Sequence, residues 1–209
     1  MKIIPDVDFL IFDLGNVIID IDYHHSLDLI KKELPENHHD RADAFYLTDF
    51  HKKYEKGELD SEKFRNEVRL YFEQDWTDEK VDLLWNSLLK EIPQERIDLV
   101  SGLKEKYNLG ILSNTNEIHI DAVFKMLNKN FNLENFDSIF HHVFLSHEMG
   151  MAKPSAEIYL SMVNQLETKP ERIVFFDDLE ANVKGAASIG IHAVHVTGPQ
   201  VIFDYLKHA

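Results

Sequence analysis

Hydrophobic positions along the chain follow two patterns. In the first, a short unbroken apolar run stops at a polar residue. Phe9-Leu10-Ile11-Phe12 stops at Asp13, Leu109-Gly110-Ile111-Leu112 at Ser113, and Ile173-Val174-Phe175-Phe176 at Asp177. Runs of this length without alternation predict strands buried on both faces, as in a parallel sheet. His142-Val143-Phe144-Leu145 and residues 191–196 predict two more strands. Between the runs, apolar residues recur every three or four positions over 93–107 (opened by Pro93), 118–127, 155–166 and 181–189, which Gly190 closes; 201–207 is a last short helix. This alternation predicts an α/β fold, a Rossmann-like parallel sheet with right-handed crossover helices.

The second pattern fills the interval after the first strand. Leu27-Ile30-Leu34, residues 45–56, Phe64-Val68-Tyr71-Phe72 and Val81-Leu84-Trp85-Leu88-Leu89 all have helical spacing, and no strand intervenes. Gly57 separates the second helix from the third, and Thr77, followed by Asp78 and Glu79, is a natural N-cap for the fourth. The expected organisation is an α/β core of residues 1–19 and 93–209 with an all-helical unit, 20–92, inserted in it. Phe45, Tyr46 and Trp85 are candidates to line a sugar pocket, but at helical spacing they are read as core of the inserted unit. Residues 17–22 partly alternate and predict a flap with Val17, Ile19 and Ile21 on one face and Ile18, Asp20 and Asp22 on the other.

Charge narrows the partners. With 37 acidic and 22 basic residues in 209, the formal net charge is −15. That field disfavours nucleic acid and anionic membrane, and an anionic substrate needs local positive groups or a metal ion. No cysteine is present, which removes disulfide and thiolate chemistry. No apolar run approaches the ~20 residues of a membrane span. The expected protein is soluble and cytoplasmic, without nucleic-acid or membrane partners; monomer and homodimer both stay open. The pairs His24-His25, His38-His39 and His141-His142 lack partners at zinc-ligand spacing and are read as surface or packing residues.

The strand ends hold the candidate chemistry. In a parallel sheet they share one edge, which would bring Asp13, Ser113, Asp177 and Asp178 together, with Lys153 at the mouth of another crossover helix. Three ionised carboxylates repel one another. A hard divalent cation, Mg2+ above all, relieves that repulsion and leaves room for waters and a phosphate. Ser113 and the backbone N–H groups after it form a candidate phosphate cradle. Lys153 adds a point charge, and Asp13 can attack phosphorus to give an aspartyl-phosphate.

Asp13-Leu-Gly-Asn-Val, Leu112-Ser113-Asn114, Lys153-Pro154 and Phe176-Asp177-Asp178 resemble, in order, the four motifs of the haloacid dehalogenase-like hydrolases. The helical insertion resembles the cap of the subgroup whose cap follows the first strand. The wording of the motifs is similar to a bacterial branch that includes α-D-glucose-1-phosphate phosphatases. The resemblance implies that Asp13 is the nucleophile and Lys153 braces the phosphate held by Ser113 and Asn114. It also implies that Asp178, with Asp177 beside it, Asp13 and the carbonyl of Gly15 hold magnesium. The implied function is a Mg2+-dependent phosphatase of a small phosphorylated metabolite, a sugar phosphate such as glucose 1-phosphate.

One position departs from the pattern. Most phosphatases of this family carry a second aspartate, the general acid, where this chain has Gly15. Losing a general acid costs ~10²–10⁴-fold. Either the leaving group is good by itself, as an anomeric oxygen is, or Asp20, Asp22, His24 or His25 reaches in from the flap, Asp20 being preferred. The alternatives are a sugar-phosphate mutase, which Gly15 disfavours; a dehalogenase, which Asp177-Asp178 disfavours; and a catalytically weak phosphosugar-binding regulator.

Overall fold

A computed structural model describes residues 7–207 of the chain. The order of elements is β1 (Phe9–Phe12), α1 (Tyr23–Lys32), α2 (His39–Ala44), α3 (Asp49–Glu55), α4 (Ser61–Phe72), α5 (Asp78–Asn86), α6 (Gln94–Leu103), β2 (Asn108–Ser113), α7 (Glu117–Phe131), β3 (His142–Leu145), α8 (Ser146–Met149), α9 (Ala156–Gln165), β4 (Ile173–Asp177), α10 (Glu180–Ser188), β5 (His192–His195) and α11 (Gln200–Leu206). The five strands form one parallel sheet in the order β3-β2-β1-β4-β5.

The unbroken apolar runs have the cause expected of them. Leu10 and Phe12 pack on one side of the sheet with Val100, Val123 and Tyr205. Phe9 and Ile11 pack on the other with Ile158, Tyr159 and Met162. With helices on both faces, β1 has no wet side, so alternation is absent. β1 is also where the strand order turns, with β2 and β3 on one side and β4 and β5 on the other. Ligands in open α/β sheets sit at the carboxyl end of that reversal, and the residue there is Asp13.

The helices α1–α5 enclose a third core, with Phe45, Tyr54, Phe64, Phe72 and Trp85 at its centre and Ile118 of α7 contributed from the sheet side. Tyr54 stacks on Phe64 at 4.1 Å, and Phe64 meets Trp85 at 4.8 Å. Phe45 and Trp85 are core, as their spacing implied. Thr77 caps α5 by accepting from the backbone of Lys80. Chain entry and exit run side by side: Asp20 and Glu91, Lys90 and Asp20, and Asp22 and Leu88 are joined by backbone hydrogen bonds of 2.8–2.9 Å.

Three details differ from the sequence reading. Residues 45–56 are a 3₁₀ turn, Phe45–Leu47, followed by α3, because Thr48 caps a new start through the backbone of His51. α2 went unpredicted: it buries only Ala42 and so carries no apolar stripe. The flap is a tight loop. The N–H groups of Ile18 and Ile19 both donate to the carbonyl of Leu14, and Val17, Ile18 and Ile19 are all buried. Asn16 turns the chain through the left-handed region at φ 54°.

Gly57, at φ +68°, sits where a Cβ would lie 2.0 Å from the carbonyl oxygen of His147. Only glycine permits both that backbone and that approach. The α3–α4 turn therefore presses directly on α8. Among the described residues no helix is long and apolar enough to cross a membrane.

Candidate active site

The strand ends do converge. Oxygens of Asp13, Asp177 and Asp178 lie within 4.8 Å of one another, the one such acidic or histidine group among the described residues. Lys153 Nζ donates to Asp13 Oδ1 at 2.7 Å and to Asp177 Oδ2 at 2.6 Å, and its side chain is 1% exposed. The ammonium also lies 5.3 Å from the centre of the Phe175 ring. Burial disfavours a charged Lys153, but Asp13 and Asp177 outweigh it and hold the proton on.

The carboxylates are not equivalent. Asp177 is wholly buried: Oδ1 accepts from the Leu179 backbone at 2.8 Å, and Asn182 reaches both oxygens at 3.0 and 3.1 Å. Asp178 is half-buried and accepts one hydrogen bond at 2.9 Å from Asn16. Burial pushes Asp13 up, against the pull of Lys153, with Asp177 adding to the rise. Burial also raises Asp178, while Asn16 opposes it. Three carboxylates against one ammonium leave two surplus negative charges when all are ionised. One divalent cation with oxygen ligands balances them, so the donor set fits magnesium.

The phosphate cradle is narrower than the sequence suggested. Ser113, at the end of β2, is buried and Asn114 follows it. The Asn114 side chain is spent on the Lys153 backbone, donating to its carbonyl and accepting from its N–H, both at 2.9 Å. These two bonds fix the Lys153 backbone. The donors at the start of α7 are also taken. Thr115 N–H goes to Ser146 Oγ, Ile118 N–H to the Tyr54 hydroxyl, and His119 N–H to the Asn116 side chain. The Ser113 hydroxyl, which reaches the Asn114 carbonyl at 3.5 Å, and the Asn114 backbone are parts of the predicted cradle that line the pocket.

Gly15 lines a pocket beside Ser113 and Asn114, roofed by Tyr23, Tyr46, His51, Glu55 and Trp85 of the inserted helices. The expected stand-ins for a general acid are elsewhere. Asp20, the preferred one, is paired with the buried Arg96 at 2.6 Å. Asp22 caps α1 through the backbone of His25. His24 and His25 are exposed. None of the four lines this pocket. Sequence reasoning missed Asn16, Ser146, Asn182, His51 and Glu55. Asn16 and Asn182 lay beside recognised motifs, but the other three had no local signal.

The description "haloacid dehalogenase-like hydrolase" matches residues 7–190. The chain belongs to the haloacid dehalogenase-like hydrolases. A D-ribitol-5-phosphate phosphatase from Bacteroides thetaiotaomicron is 25% identical over 183 residues, 87% of each chain. A glyceraldehyde 3-phosphate phosphatase from Pyrococcus furiosus is 32% identical over 122 residues, 58% of this chain and 45% of that one. A solved HAD family enzyme from B. thetaiotaomicron, in complex with magnesium and inorganic phosphate, superposes with a TM-score of 0.80 at 33% identity, covering 90% of this chain and 93% of that one. The two curated relatives are phosphatases, and the solved one holds magnesium; with the family and the acidic donor set they make this chain a phosphoric monoester hydrolase that uses magnesium.

One wall of the pocket has a measurable consequence. His119 stacks on Trp85 at 4.7 Å and is bonded to Asn86 at 2.8 Å. Burial first, and then His51, lower its pKa to about 3. The unfolded chain takes this proton near the ordinary histidine value of ~6.5. Between those values the unfolded state binds more protons, so stability falls as pH drops, by up to about 1.4 kcal/mol per unit. Chemical denaturation from pH 7 to 4 should show that slope, and His119→Gln should flatten it. An unchanged slope would remove His119 as its source.

Proposed function

We propose that the protein is a Mg2+-dependent phosphatase of small sugar or polyol phosphates, acting through an aspartyl-phosphate on Asp13. The observation that carries this reading is the buried Lys153 ammonium shared by Asp13 and Asp177, with Asp178 within reach of the same point. Asp13, Asp178 and the Gly15 carbonyl would hold magnesium. Asp177, both of whose oxygens are already engaged, would act mainly by fixing Lys153. The bound ion supplies charge neutralisation for the phosphoryl group.

Asp13 attacks phosphorus in line with the leaving oxygen, and water then cleaves the acyl phosphate. Lys153 stabilises the charge on the transferring group from a fixed position. Ser113 and the Asn114 backbone orient the phosphate. Residues 20–92 act as the cap and supply the substrate-facing wall over a core of 1–19 and 93–209, in keeping with the aromatic and polar residues they contribute to the pocket. A cytoplasmic location and small-molecule partners fit the acidic surface.

Two substrate types have support. The relatives named above act on phosphates borne by a primary carbon. Glucose 1-phosphate is favoured by the glycine at position 15, because its anomeric oxygen leaves without a proton donor. A panel of ribitol 5-phosphate, glyceraldehyde 3-phosphate, glucose 6-phosphate and glucose 1-phosphate tests both. Turnover is expected with magnesium and should vanish with chelator. No turnover of any phosphate ester would overturn the phosphatase reading, and equal rates on glucose 1- and 6-phosphate would remove the leaving-group argument.

A further inference from the structure

Resting on that phosphatase reading, the geometry points to Glu55, paired with His51 on α3, as the proton donor to the leaving oxygen, in place of the carboxyl that Gly15 lacks. Three observations converge on it. Glu55 and His51 line the same pocket as Gly15, Ser113 and Asn114. The carbonyl of Glu55 accepts a hydrogen bond from Ser146 Oγ, and that oxygen also accepts from Thr115 N–H at 2.9 Å. One hydroxyl thus clamps the end of α3 to the loop that carries the cradle. The third observation is the surroundings of Tyr23, whose hydroxyl is held protonated first by burial and then by the charges of Glu55, Tyr46, Asp13 and Asp178. Glu55 therefore shares an electrostatic neighbourhood with the nucleophile.

The two side chains are oriented toward each other. His51 Nδ1 lies 2.7 Å from the Tyr46 carbonyl, which can only accept, so Nδ1 carries a hydrogen. That leaves Nε2 turned to the carboxyl, 3.4 Å from Glu55 Oε1. The other groups facing His51 are the Trp85 ring edge at 5.2 Å, the Tyr46 ring at 5.7 Å and the neutral His119. Glu55 is the catalytic residue, and His51 is the positioning residue that orients it.

The steps balance. As the Asp13 oxygen bonds to phosphorus and the ester P–O bond breaks, the Glu55 carboxyl gives its proton to the departing alkoxide, releasing an alcohol. Water then bonds to phosphorus, its proton returns to Glu55, and the Asp13–phosphate bond breaks. Enzyme and proton count are restored.

The test compares Glu55→Gln with wild type, with magnesium present, on esters that need a proton and one that does not. kcat/KM reports steps only up to release of the first product, so slow hydrolysis of the phosphoenzyme does not blur it. On the best turned-over of ribitol 5-phosphate, glyceraldehyde 3-phosphate and glucose 6-phosphate, kcat/KM should fall about 10²–10⁴-fold. On p-nitrophenyl phosphate, whose leaving group is already acidic, it should stay within about threefold of wild type. His51→Gln, which removes the neighbour that orients Glu55, should lower kcat/KM on the sugar ester more than on p-nitrophenyl phosphate. Equal losses on both ester types in either variant, or no loss on the sugar ester in Glu55→Gln, would overturn the assignment. So would a wild type that cleaves p-nitrophenyl phosphate but none of the three sugar esters. A wild type inert to every ester would instead overturn the phosphatase reading beneath it.

Discussion

Asp13→Asn is expected to lower kcat for phosphate-ester hydrolysis by at least about 10⁴-fold, because an amide cannot form the acyl phosphate. The fold should survive. Asparagine can still accept from Lys153, whose charge remains paired with Asp177 at 2.6 Å. The site without metal carries surplus negative charge, so removing one carboxylate relaxes repulsion rather than stranding a cation. Melting in chelator should therefore show Asp13→Asn at least as stable as wild type. Residual turnover within tenfold of wild type would mean that another group attacks phosphorus.

Lys153→Met is expected to act on stability and chemistry together. The ammonium is buried and bridges two carboxylates, one of them with no exposure at all. Removing one member of such a buried set leaves charge uncompensated, at a cost of about 3–5 kcal/mol. In a chain of this length that corresponds to a fall of roughly 6–20 °C in Tm. Magnesium should recover part of the loss. So should the double variant with Asp13→Asn, since the two positions share one interaction and their effects will not add. Turnover should drop by a further 10²–10³-fold or so, the usual size for a lost transition-state donor. A single-variant Tm within about 2 °C of wild type would show that water already screens the site.

The parallel sheet and its acidic edge were legible because burial on both faces writes itself into contiguous apolar runs. A polar residue at the end of such a run then has few roles to choose from. Asp13, Ser113, Asp177 and Asp178 were found that way, and Lys153 from its place before Pro154 at the mouth of a crossover helix. The loop at 17–22 was misread because partial alternation is a weak sign. There, one left-handed residue and two N–H groups converging on Leu14 override it. Asn114 was assigned to phosphate by position, but its side chain serves the Lys153 backbone, a contact between residues 39 positions apart. Glu55 and His51 were invisible for a related reason. The period of α3 reports its apolar face, and two polar residues on a pocket wall leave no mark in it.

Trp85 is one of only two tryptophans in the protein. Its ring lies flat on His119, and its N–H reaches Asn116, the cap of the helix that follows the cradle. The other, Trp76, packs on Phe72 within the inserted helices. Indole emission is sensitive to such neighbours, so the molecule carries its own optical reporter at the pocket wall. Occupancy can be followed by native fluorescence, without a label and without turnover.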